Sequence, residues 1–220
     1  TPLLLACTKS DLNVIDTLVK AGASLVQCNK DGWDCFHVAA REGHVNILEY
    51  LLSNLKKSGS WSSKRTSKNG RTPLHTAALH GQAEAVKFMI GNCNYNCDTP
   101  DSCGATPLMD ALRTSGHIAV AEYLITHHQV RAGTLENYHL HASIHQFDKL
   151  GHHSIHLVAQ TGCIESLNYL ISQHNVDPQK KSEGRAMTPL HFAAKEGHLN
   201  VINLLAKLRV DINAQDTKGR

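Results

Sequence analysis

The chain is short of several features that would point to common functions. Aromatic residues make up only 5% of its 220 residues, and its formal net charge at pH 7 is +3. So small a charge does not favour an electrostatic surface for nucleic acid. No stretch approaches the run of about 18 apolar residues that a membrane-spanning helix needs. We therefore expect neither a membrane span nor direct binding of nucleic acid.

Motifs of catalysis are missing as well. The sequence has no nucleophile elbow, no glycine-rich phosphate loop and no His-Glu-x-x-His pattern. The closest grouping of reactive side chains is Asp34, Cys35 and His37, and its place at the start of a predicted helix favours a structural role for all three. We predict that the chain is not an enzyme and that it needs no cofactor.

Cysteine and histidine are present but are not arranged as metal ligands. The seven cysteines are odd in number and scattered, which favours reduced intracellular thiols over a disulfide framework. Cys93, Cys97 and Cys103 lack the two-residue spacing that structural zinc sites favour. Five of the 16 histidines cluster late in the chain, at His139, His141, His145, His152 and His153. Two interpretations of these histidines are open: they belong to a polar loop, or they form a metal-binding or pH-responsive cluster. Because no further ligands bracket them, we favour the polar loop and predict no metal site.

What the chain does have is an internal repeat. Thr-Pro-Leu-His occurs at residues 72–75 and 188–191, each time followed by two alanines and a glycine. Each residue type suits a short helix. Threonine caps the free amides of the first turn, proline fits the first helical position, and glycine ends the helix in a left-handed turn.

The threonine position of this motif recurs along the whole chain. It falls at Thr1, Asp34, Thr72, Thr106, His153 and Thr188, in steps of 33, 38, 34, 47 and 35 residues. Asp34 can cap a helix as threonine does. These positions predict repeats over 1–33, 34–71 with a mobile, basic, serine-rich loop at 53–70, 72–105, 106–152 with an insertion at 130–150, 153–187 in degenerate form, and 188–220. Because neither end has polar capping features, we expect further repeats on both sides.

The motif and its spacing resemble the ankyrin-repeat family. The resemblance implies an all-α solenoid of six stacked helix-turn-helix units joined by hairpin loops. It also implies a monomeric protein-binding domain in the cytoplasm, and also in the nucleus. In this family histidines of the motif tie neighbouring repeats together through hydrogen bonds.

By the same resemblance, hairpin tips and the exposed side of the first helix of each repeat line a concave groove. The predicted partner-binding residues are Lys30, Asp31, Trp33, Arg41, Glu42, Lys68, Arg71, Leu79, His80, Arg113 and Lys195. Trp33 and Trp61 are each open to two interpretations, as packed side chains or as exposed aromatic anchors of an interface.

Two less common stretches, residues 30–33 and 108–111, are similar to one branch of the family. That resemblance implies a partner, the catalytic domain of alanyl-tRNA synthetase, and a role in limiting serine misincorporation. Surface lysines would capture serine that the synthetase has activated in error, and the candidate acceptors here are Lys30 and Lys64. The alternative is a general ankyrin scaffold with an unrelated protein partner.

Overall fold

The computed structural model describes residues 1–126 and 143–220, and over these residues it is helical with no named strand. The helices alternate between short and longer ones along the chain. They are α1 (Pro2–Ala6), α2 (Leu12–Lys20), α3 (Cys35–Glu42), α4 (Val45–Lys57), α5 (Pro73–Leu79), α6 (Ala83–Cys93), α7 (Pro107–Leu112), α8 (Ile118–Thr126), α9 (Ser154–Thr161), α10 (Ile164–His174), α11 (Pro189–Glu196) and α12 (Leu199–Lys207).

The odd-numbered helices begin where the repeated motif places a capping residue. Thr72 Oγ1 accepts a hydrogen bond from the amide of His75 at 3.4 Å. Asp34 fills the same role before α3, where its Oδ1 accepts from the amide of His37 at 3.1 Å. The prediction that aspartate replaces threonine at this cap is confirmed. A side-chain oxygen there satisfies an amide that has no partner within the helix.

The two kinds of helix form two layers that stack along one direction. In the first layer α3 packs on α5, α5 on α7, and α9 on α11; in the second, α4, α6, α8, α10 and α12 follow one another. The alanine pairs of the motif, such as Ala77 and Ala78, are fully buried between the layers. Their small side chains let neighbouring helices approach closely, so each repeat covers the core of the next.

Motif histidines hold loops within a repeat and also join neighbouring repeats, as the family resemblance implies; His198 Nε2, for example, lies 2.8 Å from the carbonyl oxygen of Gln160 in the preceding repeat. His75 Nε2 lies 3.0 Å from the carbonyl oxygen of Ala105, and His156 Nε2 lies 2.8 Å from that of Lys180. On the other side of the His75 ring, Nδ1 accepts from the amide of Thr72 at 3.1 Å. An imidazole that accepts at Nδ1 and donates at Nε2 is neutral. These histidines therefore support the stack and are not available as ligands or bases.

The serine-rich segment 53–70 differs from the exposed, mobile loop that the sequence suggested. Helix α4 continues into it as far as Lys57. The Trp61 ring then packs 5.1 Å from that of Phe36 and 6.1 Å from that of Tyr95, measured between centroids. Arg65 Nη1 also donates to Asp34 Oδ2 at 2.5 Å. Of the two interpretations of Trp61, the packed one holds, because an apolar ring in a polar loop gains by covering apolar surface.

The insertion predicted at 130–150 lies partly outside the described residues, as do His139 and His141. The last residues of the predicted insertion, 148–150, form part of an ordinary hairpin instead. Asp148 Oδ1 accepts from the amides of Leu150 at 2.9 Å and His152 at 2.8 Å. Asp101 holds the preceding hairpin in the same way. The insertion prediction was wrong at this end, because residues 148–150 belong to the tip of the fourth hairpin.

Successive hairpins touch closely enough to require glycine at their turns. Gly104 has φ +85°, and a Cβ added there would lie 2.7 Å from the backbone nitrogen of Lys149. Gly184 has a similar φ of +74° but no atom within 4 Å of an added Cβ. We expect Gly104→Ala to lower the free energy of unfolding by about 3 kcal/mol and Gly184→Ala by only about 1 kcal/mol, since the backbone strain is shared but the clash is not. Urea denaturation of both variants measures the difference, and equal losses would contradict the close contact between tips.

Candidate interaction surface

The tips of the hairpins form a continuous ladder of backbone hydrogen bonds from one repeat to the next. The amide of Lys68 donates to the carbonyl oxygen of Asp31 at 3.0 Å, and the amide of Ser102 donates to that of Asn69 at 2.9 Å. The same bond recurs between Lys149 and Cys103, between Glu183 and Gly151, and between Thr217 and Arg185. This tip ladder fixes the backbone and leaves the side chains of the tips free to differ.

We give the name tip row to the residues that donate these bonds. The tip row also includes Lys30, which holds the equivalent position in its own hairpin. Its members are Lys30, Lys68, Ser102, Lys149, Glu183 and Thr217. All of them are exposed. The tip row is therefore an ordered line of side chains at the edge of the stack, one from each hairpin.

Beside the tip row, the residue just before a helix cap contacts the middle of the next odd-numbered helix. Arg71 Nη2 donates to Asp110 Oδ2, and Ala105 packs with Met109 and Leu157 in a small apolar cluster apart from the main core. The rings of His152 and Phe192 lie 4.9 Å apart. We call these three contacts the groove floor. Along the stack, the groove floor consists first of the charged contact, then of the apolar contact and then of the aromatic contact.

The charged part of the groove floor is an ion-pair cluster with one incomplete carboxylate. Arg71 lies between Asp110 and Asp101, 3.3 Å from Asp101 Oδ2. Asp110 is fully buried, and its second oxygen, Oδ1, lacks a hydrogen-bond partner and is 3.8 Å from Arg113 Nη1. Burial raises the pKa of the Asp110 carboxyl to about 6, although Arg71 and Arg113 oppose the change. This cluster joins the second, third and fourth repeats, to which Arg71, Asp101 and Asp110 belong in that order.

The repeated architecture matches a known sequence family. The model described as "Ankyrin repeats (3 copies)" matches residues 1–60, 57–134 and 127–216, which together cover nearly the whole chain. The chain belongs to the ankyrin-repeat family. Ankyrin repeats are typically protein-interaction modules without catalytic activity, and the curvature of such solenoids creates an extended binding surface.

Relatives share the repeats over most of this chain but are far longer. The chain is 24% identical to ankyrin repeat protein nuc-2 of Neurospora crassa over 98% of its length and 30% identical to inversin of Canis lupus familiaris over 93%. It is 28% identical to rabankyrin-5 of Mus musculus over 80%. It spans only 22%, 18% and 14% of those three proteins.

A solved structure shows the same fold. The crystal structure of the human ASB11 ankyrin repeat domain aligns with the whole chain and with 89% of its own length, with a TM-score of 0.72 at 19% sequence identity. At this identity the likeness concerns the fold alone. Among the described helices, none is both long and apolar enough to cross a membrane.

Most of the predicted partner-binding residues lie on the surface that carries the tip row and groove floor. Those that are exposed are Lys30, Asp31, Arg41, Lys68, His80, Arg113 and Lys195. Two of the cations contact a neighbouring carboxylate: Arg41 Nε lies 3.7 Å from Glu42 Oε1, and Lys195 Nζ lies 2.9 Å from Glu196 Oε1. Lys30 and Lys64, the predicted serine acceptors, are both exposed but stand in different loops.

Four predicted residues, Trp33, Glu42, Arg71 and Leu79, are half-buried. Arg71 is engaged by Asp101 and Asp110 and leaves 20% of its side chain exposed. The half-buried Trp33 ring stacks on that of His37 at a centroid distance of 6.1 Å, which favours the packed interpretation. These residues can shape the groove but offer a partner less surface than their positions suggested.

The sequence reasoning missed Lys149, Leu150 and the buried role of Asp110. The two tip residues were hidden inside the predicted insertion, although Asp148-x-x-Gly151 repeats the pattern of Asp101-x-x-Gly104 and could have revealed them. Leu150 is 70% exposed. Nothing in the sequence pairs Asp110 with Arg71, which lies 39 residues earlier.

No metal site emerges from the cysteines and histidines in the described part of the chain. There, no group of three or more histidine, cysteine, aspartate or glutamate residues could hold an ion. Cys93 and Cys97 are buried, and burial raises the pKa of each thiol to about 12. Such thiols are protonated and act as apolar packing groups.

Proposed function

We propose that the chain is a non-enzymatic protein-binding domain that holds its partner along the tip row and the groove floor. The observation that carries this proposal is the tip ladder. Backbone hydrogen bonds fix every tip, while the exposed side chains change from one repeat to the next. A surface ordered before binding loses little conformational entropy on association, so modest contacts can give useful affinity.

The chemistry of the buried groups supports binding rather than catalysis. The motif histidines His75 and His156 already use both ring nitrogens in the stack. Burial lowers the pKa of each imidazole to about 4, so neither is an imidazolium cation at neutral pH. The tip row instead offers exposed lysine, serine, glutamate and threonine side chains in a fixed order.

We expect a double substitution on this surface to weaken the binding of a natural partner. His80 and Thr161 are exposed on the groove side, and His80→Glu with Thr161→Glu adds charge there without touching the core. A partner captured from cell lysate and identified by mass spectrometry should bind this variant at least about tenfold more weakly, the loss expected when a few interface contacts turn repulsive. Titration of the purified partner by calorimetry measures the change.

A matched variant tests whether the groove side is the relevant face. Asn168 on α10 and Asn203 on α12 are exposed in the second layer, and Asn168→Glu with Asn203→Glu adds the same charge there. This variant should bind the partner as the unchanged chain does. Loss of binding in the second-layer variant alone would place the interface on the other side of the molecule and contradict the proposal.

A narrower candidate follows from the resemblance of residues 30–33 and 108–111 to ankyrin repeat domain-containing protein 16. In it, the partner is the catalytic domain of alanyl-tRNA synthetase, and lysines take up misactivated serine. Exposure of Lys30 on the tip row supports this candidate, since its amine can reach a donor on a bound protein. In that reaction the amine attacks the seryl carbonyl, an amide forms, and the adenylate leaves as AMP.

Two readouts test the narrower candidate separately. The purified synthetase domain should bind the chain, and with serine and ATP present, mass spectrometry should find serine on Lys30 but none after Lys30→Arg. Lys68→Arg serves as the control because Lys68 occupies the equivalent tip position. Absence of both binding and adduct would reject the synthetase role and leave the general protein-binding function in place.

A further inference from the structure

Three lysines occupy equivalent positions on the tip row, and the carboxylates next to two of them in sequence, Asp31 and Asp148, form no ion pair with them within the described residues. The three lysines are Lys30, Lys68 and Lys149, all of them exposed. Within residues 1–126 and 143–220 none of the three forms an ion pair. By contrast, Arg41 and Lys195 near the other side of the groove each have a glutamate beside them. The tip row thus carries three exposed cations that are available to a partner.

The spacing of these lysines matches an extended peptide. Successive tips are joined directly by the tip ladder, and helices packed in neighbouring repeats lie about 10 Å apart. A segment in the extended polyproline II conformation advances about 3.1 Å per residue with three residues per turn, so three residues span one repeat and every third side chain faces the tips. A segment running along the tips would meet Lys30 at residue i, Lys68 at i+3 and Lys149 at i+9.

The tip between Lys68 and Lys149 offers apolar rather than charged contact. It consists of Ser102 and Cys103, both exposed, and the amide of Lys149 donates to the carbonyl oxygen of Cys103. Leu150, on the adjoining tip, is 70% exposed. The groove floor beside it is the apolar cluster of Ala105, Met109 and Leu157. Residue i+6 of the segment would face this apolar step.

The basic run has a defined end. At the next position of the tip row stands Glu183, whose Oε1 lies 3.6 Å from His153 Nε2. A carboxylate there would repel an acidic residue at i+12, so the register of the segment is limited to the four tips from Lys30 to Lys149. Three cations separated by an apolar step do not match the closely and evenly spaced phosphates of a nucleic acid.

We propose that the tip row binds an extended acidic protein segment with carboxylates at i, i+3 and i+9 and a large apolar side chain at i+6. The inference rests on the proposed function and adds to it the chemistry and register of the partner. Carboxylates pair with Lys30, Lys68 and Lys149, while the apolar side chain covers Leu150 and Cys103. The charges set the register, and the apolar contact supplies area removed from water.

The test uses synthetic peptides and the full chain. A fluorescent peptide with glutamate at i, i+3 and i+9, leucine at i+6 and serine elsewhere should bind at low ionic strength, measured by fluorescence anisotropy. Replacing all three tip lysines with alanine should weaken binding by about tenfold, because each exposed ion pair contributes about 0.5 kcal/mol. Raising the salt concentration should reduce the affinity of the unchanged chain and have little effect on the variant.

A second triple variant controls for overall charge. Lys56, Lys57 and Lys207 are exposed outside the tip row, and their replacement with alanine removes the same charge. This variant should bind within about twofold of the unchanged chain, since charges beyond a Debye length of about 10 Å are screened. Equal losses in the two triple variants would overturn the inference.

Peptide variants separate this inference from the proposed function. Moving the glutamates to i+1, i+5 and i+8 should weaken binding, and equal affinity would reject the register. A peptide with glutamine in place of glutamate that bound equally well, yet lost binding on Leu150→Ser, would keep the groove as a binding surface and reject its acidic partner. Tighter binding of a single-stranded oligonucleotide than of the acidic peptide would reject a protein segment as the occupant.

Discussion

Trp61→Ala is expected to lower the free energy of unfolding by about 3 kcal/mol, the range for removing a large aromatic side chain from packed surroundings. Trp61 contacts Phe36 and Tyr95, so it joins the segment after α4 to the cores of the second and third repeats. Its truncation leaves a cavity beside both rings. Urea denaturation followed by circular dichroism measures the loss.

Ser60→Ala in the same segment is the control, because the Ser60 side chain is exposed. This substitution should change stability by less than about 0.5 kcal/mol. A Trp61→Ala variant as stable as the Ser60→Ala variant would mean that the segment is held only weakly to the core. The predicted mobile loop would then be the better description.

Acidification is expected to destabilise the stack by several kcal/mol between pH 6.5 and pH 4. Burial lowers the pKa of His75 and of His156 from the ordinary 6.5 to about 4. Below pH 6.5 these imidazoles bind protons in the unfolded chain but not in the folded chain. The free energy of unfolding therefore falls with the pH until the pH reaches the pKa of the folded imidazoles. Each histidine accounts for about 3 kcal/mol at most. His75→Gln should therefore show a shallower dependence of unfolding free energy on pH.

Asp110 acts in the opposite direction over part of this range. Because burial raises its pKa to about 6, the folded carboxyl takes up a proton before the unfolded one does, and stability rises as pH falls from 6 towards 3.8. Removing this compensation with Asp110→Asn should make the acid destabilisation steeper. A slope unchanged by either His75→Gln or Asp110→Asn would show that other groups control the acid response.

Much of the fold could be predicted because its signals are local. A cap, its proline and the terminal glycine lie within a few residues of one another, so Thr72 and the helix that follows it are readable from the sequence. Helix α2 is set by an equally local signal, because Asp11 caps it by accepting a hydrogen bond from the amide of Asn13. The tip position of Lys149 was equally local, but an apparent insertion concealed it.

Contacts between repeats could not be predicted in this way. The Trp61 ring finds Tyr95 34 residues later in the chain, and Arg65 reaches back 31 residues to Asp34. Neither residue belongs to the repeated motif, so periodicity says nothing about its partner. The side chains that distinguish this array from other ankyrin repeats are those whose contacts form only in the folded stack.

The histidine ties also determine how the array comes apart. Bonds such as the one between His198 Nε2 and the carbonyl oxygen of Gln160 join one repeat to the repeat before it, so a repeat with a neighbour on each side is held from both. Amide hydrogen exchange should therefore be slow around α5 and α7, which pack on helices of the repeats before and after them. Opening of the repeat that carries Lys30 would release one end of a bound segment, while Lys68 and Lys149 keep their places in the tip ladder.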